Sequence, residues 1–326
     1  MPDFSHVIPE SHQNVSPGLL EMLIQTRREE LFTGVMRLCP ASGENLIFSF
    51  LEGMQQKLYR CREEAVDIVP RQTWPAELGR DCSAVGFLSL PIEALRFMRV
   101  VHEAPVRQVE ELTLTLEQLI DAAGKWAAAR EPGIVHIQGD KVNRYHLVAG
   151  DSTPVIEELS ILGGEVRFSL NDASFPKMLP KTDYRVLRYV SVRDHDVWRE
   201  YELRLAFSPF MRMLLNRFSE LAGRVLTERL CEQVSLWARE EGWKVILSGN
   251  GLVNRQYFEN LESAKRLYAD VLRHFQEEAS LAIGTRMTEG ISQEILLKLD
   301  SYRRELLAKN IYSRPGLSNA TGGVWR

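Results

Sequence analysis

The polar run Arg193-Asp194-His195-Asp196 is where residue types alone suggest chemistry in this chain. A histidine beside an aspartate can ligate a metal or act as an acid–base couple. A metal-dependent hydrolase centred on His195 and Asp196 would need further His and Asp ligands from neighbouring helices. His136, His146 and His274 fall on expected strands or an unrelated helix without an i, i+4 partner, so a charged surface turn is the favoured reading. Ser248-Gly249-Asn250-Gly251 follows an expected strand, where a glycine-rich turn could cradle phosphate if it opened onto a helix. No third glycine, Lys-Ser/Thr pair or ribose-binding acid follows, and a strand-terminating turn needing positive φ is expected. No serine stands in a G-x-S-x-G elbow, and no cysteine has a histidine placed to activate it. No catalytic residue, cofactor or metal ligand is assigned on these grounds, and His195 with Asp196 remains the alternative metal-site reading.

Arg185, Arg188, Arg193, Arg199 and Arg204 interleave with Tyr184, Tyr189, Trp198 and Tyr201, a mixture that could stack on nucleic-acid bases. Asp183, Asp194, Asp196, Glu200 and Glu202 dilute that charge, so a mixed-charge strand pair is favoured. The formal net charge of -4 gives no overall attraction to a phosphate backbone. Nucleic acid is therefore not an expected partner, and a transcriptional regulator stays as a further alternative. With 326 residues, 44% hydrophobic and 26% charged, the chain has room for two or three domains with cores of their own. Cys39, Cys61, Cys82 and Cys231 show no C-x-x-C spacing, which fits a reduced, cytoplasmic chain. The N-terminus lacks a basic segment followed by an apolar one. No run approaches the roughly eighteen apolar residues of a membrane span, so neither secretion nor membrane insertion is expected.

The elements that would position these residues include a repeat. Phe32 to Arg37, a polar link at Pro40-Ala41-Ser42-Gly43, and Leu46 to Gly53 read as a glycine-flanked hairpin. Gly133 to Ile137 followed by Tyr145 to Gly150 reads the same way, with Phe48, Phe50, Tyr145 and Leu147 expected in the core. Each hairpin follows an amphipathic helix. The first starts at Pro17 with Ser16 as N-cap and carries Leu19, Leu20, Leu23 and Ile24. The second spans Thr113 to Ala129, with Leu116, Leu119, Ile120, Ala123 and Ala127 on one face. Val66 to Val69 could add a strand, and Trp74-Pro75 interrupts. Val155 to Leu162 reads as a short helix and Glu165 to Leu170 as a strand with one buried face.

Asn171 to Thr182, with Pro176 and Pro180, reads as a linker and the domain boundary. Beyond it, Phe207 to Leu226 predicts a long helix, with Gly223 as the place for a bend and Leu230, Val234 and Trp237 continuing the same face. Trp243 to Gly251 predicts a single strand ending in a turn. Two further helices carry Leu267 to Ala279 and Ile291 to Leu306. The expected fold class is α+β: two helix-plus-β-meander modules, then a mainly helical domain with one or two strands. The boundaries are an N-terminal extension at 1–16, modules at 17–108 and 109–175, a helical domain at 183–310 and a loose tail at 311–326. The broad apolar face at 207–226 could be covered by its own domain or by a second chain, so a homodimer through 205–310 is one expectation.

The pattern Gly34-Val35-Met36-Arg37, a polar link, Leu46 to Phe50 and Gly53 resembles the PATAN or DUF4388 type of bacterial signalling module, in which a helix precedes a β-meander. The second copy, Gly133 to Ile137, Tyr145 to Gly150 and Gly164 to Phe168, is similar to it as well. The resemblance covers about residues 17 to 70 and 113 to 170. Two departures stand out: Met54-Gln55-Gln56-Lys57 follows Gly53, and no receiver domain is present. It implies a non-enzymatic regulatory or adaptor protein in signal transduction, acting through contacts with other signalling proteins.

Overall fold

The computed structural model describes residues 8, 10–40, 43–62, 66–104, 106–129, 133–139, 142–148, 156–162, 165–171, 182–191, 195–258 and 260–312. The chain divides into two compact units, one ending at His195 and the other beginning at Asp196. The first holds antiparallel sheets and the second is mainly helical, an α+β fold.

In the first unit, strand β1 (Glu10–Val15) leads through Ser16 into helix α1 (Pro17–Glu29). A meander follows: β2 (Gly34–Pro40), β3 (Asn45–Leu51), β4 (Met54–Cys61) and the short β5 (Val66–Ile68). A 3-10 turn and α2 (Trp74–Leu78) bring the chain back as β6 (Cys82–Ser89), which lies between β1 and β2. Helix α3 (Ile92–Glu103) closes this module.

The same plan then runs again. Strand β7 (Val106–Leu114) leads through Thr115 into α4 (Leu116–Ala129), and the meander is β8 (Gly133–Gly139), β9 (Val142–Val148), β10 (Ile156–Leu162) and β11 (Glu165–Asn171). Strand β12 (Tyr184–Ser191) returns between β7 and β8. The strand orders β1-β6-β2-β3-β4-β5 and β11-β10-β9-β8-β12-β7 are therefore one topology traced twice.

Matching positions keep a constant separation along the chain: Ser16 and Thr115 precede the helices, Leu20 and Leu119 anchor them, and Gly34 and Gly133 open the first meander strands. Met36 and Leu38 pack with Leu20, Phe48 and Val85 under α1, and Val135 and Ile137 pack with Leu119 and Val186 under α4. The glycines have a steric reason. A Cβ on Gly34 would lie 2.2 Å from the Leu88 carbonyl oxygen, and one on Gly133 would lie 2.2 Å from that of Tyr189. The returning strand in each module approaches too closely for any side chain there.

Several expectations are corrected. Ile156–Leu162 is strand β10, because β9 and β11 hydrogen-bond it on both sides and that pairing overrides its local helical spacing. Residues 10–15 of the expected extension form β1, paired with β6. Thr113 and Leu114 end β7, and the second helix starts only at Leu116. The boundary expected at 171–182 falls instead after His195, because β12 is hydrogen-bonded to both β7 and β8. Among the described residues of the supposed strand pair, 184–191 are strand, whereas Arg199 and Arg204 belong to a helix. Phe48, Phe50 and Tyr145 are buried as expected, whereas the Leu147 side chain and the residues 149–155, 172–181 and 313–326 lie outside what is described.

The second unit begins with α5 (Asp196–Ala222) and α6 (Arg224–Glu240). These are separate helices, because Gly223 at φ 83° and ψ 164° breaks the hydrogen-bonded spiral. The expected single strand is a hairpin, β13 (Val245–Ser248) with β14 (Gly251–Asn254). Helix α7 (Leu261–Ile283) meets α8 (Thr285–Lys298) at Gly284, whose φ of 85° and ψ of 149° repeat the first joint. In both joints the glycine N–H donates to a serine carbonyl four residues back, Ser219 at 3.0 Å and Ser280 at 2.9 Å. In both, a buried threonine hydroxyl, Thr227 or Thr288, donates to the glycine carbonyl. The last expected helix is split, with Asp300 capping α9 (Ser301–Leu307) and a π-helical turn over Ala308–Tyr312.

Rings of α5 and α7 meet at Phe207 with Tyr268 and again at Phe218 with Phe275, so the two helices run in the same direction. The apolar face from Phe207 to Phe218 is buried in a core shared with α6, α7 and α8 of the same chain. Among the described residues, no helix is long and apolar enough to cross a membrane.

Candidate binding groove

An open groove of about 900 Å³ lies in the first module between α1 and α2, above the start of β4. Local sequence explains why it stays open. Ser16 accepts the Leu19 N–H at 3.4 Å and Pro17 presets the first turn, which fixes where α1 begins. Leu20 turns inward to the core, leaving Pro17, Gly18, Glu21, Met22, Ile24 and Gln25 on or beside the groove wall. A Cβ on Gly18 would meet nothing within 4 Å.

The opposite wall is held by two anchors. Trp74 is buried, packs edge-on against Phe48 at 4.8 Å, and donates from Nε1 to the Val69 carbonyl at 3.0 Å. Glu77 is also buried and accepts from Arg60 at 2.6 Å, with Arg80 at 3.2 Å. With these side chains turned away, Pro75, Leu78 and Gly79 face the opening, and Gln55 lies at its floor. Among the described residues Glu21 is the one ionisable side chain lining it, and Met22 stands 58% exposed beside it. The groove is mixed in character: Met22, Ile24, Pro75 and Leu78 stand beside two amides and one carboxylate.

Among the described residues, the candidate groups singled out from the sequence lie apart from one another. His195 is half-buried, with no hydrogen-bond partner for Nδ1 among the described residues, and Asp196 is exposed in the first turn of α5. Arg193 and Asp194 lie outside the described residues. Among the described residues, no three His, Cys, Asp or Glu side chains converge as a metal site would require. Ser248-Gly249-Asn250-Gly251 turns β13 into β14 and opens onto a strand, so no helix N-terminus is available there for phosphate. Arg185 pairs with Glu111 at 2.8 Å and Arg188 with Glu110 at 3.2 Å, which neutralises the basic run on β12. Burial, with smaller contributions from Glu228 and Glu232, pushes the Cys231 thiol up to about 11, so it is a core residue without nucleophilic character.

Polar groups are also buried around α3. Tyr59 donates to Glu103 at 2.7 Å, Arg99 donates to the other Glu103 oxygen at 3.2 Å, and the His102 ring meets Tyr59 edge-on. The Arg99 and Glu103 side chains are each only 5% exposed, so this set ties α3 to β4. His136 stacks on Tyr145 at 4.0 Å, and His146 faces α4 from beside Val135. The groove escaped the sequence reading because Trp74-Pro75 read as an interruption. A methionine on the polar side of α1 was the available signal.

No protein family, curated protein or solved structure matches this chain.

Proposed function

We propose that this chain is a non-enzymatic regulatory or adaptor protein in bacterial signal transduction, acting through protein–protein contacts, with the α1–α2 groove as a contact site. The groove carries the reading: it is open, lined in part by Ile24, Pro75 and Leu78, and flanked by the exposed Met22. Methionine-bearing depressions of this kind suit adaptable binding of another polypeptide. The signalling part rests on the resemblance of the two modules to the PATAN or DUF4388 type.

The test is affinity capture from the source cells with the full chain and its Gly18→Trp variant. Gly18 has open space around its Cβ, so an indole there occupies the groove without entering the core. The expected result is a protein retained by the wild type and lost with the variant. An identical retained set for both, or none for either, overturns the proposal.

A further inference from the structure

The groove's walls and charge point to one kind of occupant. Resting on the adaptor reading, we propose that the groove receives an amphipathic helix of the partner, with its apolar stripe between α1 and α2 and a lysine or arginine facing Glu21.

Three observations favour this occupant. Both walls are helical, so a third helix can set its ridges between them as helices pack in a core. The neighbouring strand edge is poorly suited to adding a strand. Among the described residues, strand β5 pairs with β4 over Tyr59, Arg60 and Cys61, and the Val69 N–H donates to the Leu58 carbonyl, which leaves Met54 to Lys57 at the edge. That edge is bulged, because the register with β3 slips between Ser49 and Phe50. The Ser49 hydroxyl accepts the Lys57 N–H at 3.1 Å and donates to the Lys57 carbonyl at 3.2 Å. A bulge and a lysine are features that blunt an edge against pairing. Charge gives the third: among the described residues Glu21 is the single ionisable group in the lining and is exposed, whereas Glu77 nearby is already held by Arg60 and Arg80. A cation on the incoming helix would complete Glu21, and an acid there would be repelled.

The experiment uses the full chain and three dye-labelled synthetic peptides of equal length. One is a leucine/lysine sequence with leucines at helical spacing, the second its leucine/glutamate counterpart, and the third a strictly alternating leucine/lysine sequence. Fluorescence anisotropy at physiological salt should rank the basic helix first. Glu21→Gln should weaken it about three- to fivefold, the worth of one exposed ion pair. Glu21→Lys should weaken it about tenfold and improve the acidic helix. Gly18→Trp should weaken every peptide that occupies the groove, and unchanged far-ultraviolet circular dichroism confirms that the variants are folded.

Equal binding of both helices, preference for the alternating peptide, or indifference to Glu21→Lys overturns the helical, basic occupant. The adaptor reading survives that result if Gly18→Trp still abolishes cellular capture, so the two failures are distinguishable.

Discussion

The two modules of the first unit share a topology but have cores of different chemistry. In the first, Phe48 fills the space between the sheet and α1, packed on Trp74. At the matching point of the second, opposite Val135 as Phe48 is opposite Met36, stands His146, fully enclosed. A backbone plan therefore tolerated the exchange of an aromatic hydrocarbon for an imidazole. It did not tolerate exchange of the glycine that opens β2 or β8. The lesson is that close backbone approach constrains the repeat more tightly than core chemistry does.

The strongest way to break that comparison is to add a methyl at each glycine. Gly34→Ala and Gly133→Ala should each cost about 3 kcal/mol, since the new Cβ must push a backbone carbonyl aside. Urea unfolding midpoints measure both. If one variant is tolerated while the other is not, the two positions are not equivalent.

The core exchange predicts a difference in acid sensitivity. Burial, then the charges of Arg144 and His136, lower the His146 pKa to about 3, whereas an unfolded histidine titrates near 6.5. Below pH 6.5 the unfolded chain takes up a proton that the folded one refuses. The stability from the neutral ring is complete above that pH and declines as pH falls towards 3, by roughly 1 kcal/mol per unit. His146→Phe should flatten the stability profile between pH 6 and 4 relative to the wild type, and Phe48→His should steepen it. Parallel profiles for wild type and His146→Phe would show that the ring is already protonated in the fold.

The helix caps should differ less. Thr115 forms a reciprocal box with Gln118: the Gln118 N–H donates to the threonine oxygen at 3.3 Å, and the Thr115 N–H to the glutamine oxygen at 3.0 Å. Ser16 makes only the long bond to Leu19. Thr115→Ala should therefore cost about 1 kcal/mol and Ser16→Ala about half of that in thermal unfolding.

How far the sequence revealed this fold depended on the range of the interactions. The helices at 17–29 and 116–129 and the first hairpin of each meander were legible, because apolar spacing, caps and glycines act locally. Strands β1, β6 and β7 were not, since each is specified by partners far along the chain, as Val15 is by Cys82. Glu157-Glu158 made residues 156–162 look helical, and only β9 and β11 make them a strand. For the same reason the groove was illegible: its walls come from residues 17–25 and 75–79, joined only by folding. The acid–base pair at His195 and Asp196 was conspicuous in one dimension and gains no further ligand among the described residues in three.

The smallest effect concerns a swapped pair on the helix-facing side of each sheet. In the first module Arg27 of α1 lies over the Phe87 ring of β6 at 4.4 Å. At the matching positions of the second, Trp126 is on the helix and Arg188 on the strand, at 5.9 Å. Cation and ring have changed places. The second arrangement includes a carboxylate, because Glu110 accepts from the Trp126 indole at 3.0 Å and from Arg188 at 3.2 Å. In the first module the nearby Ser11, in the bulge of β1, bonds the Val85 carbonyl through its hydroxyl instead. A double-mutant cycle on Arg27 and Phe87 should therefore give a coupling of about 0.5–1 kcal/mol from the cation–π contact alone. The transplant Arg27→Trp with Phe87→Arg should remain less stable than wild type until Ser11→Glu is added. Recovery on adding that glutamate, read in urea unfolding, is expected because an indole N–H and a guanidinium packed at a sheet surface need a shared acceptor. No recovery would mean that the two modules hold their helices by unrelated means despite their common topology.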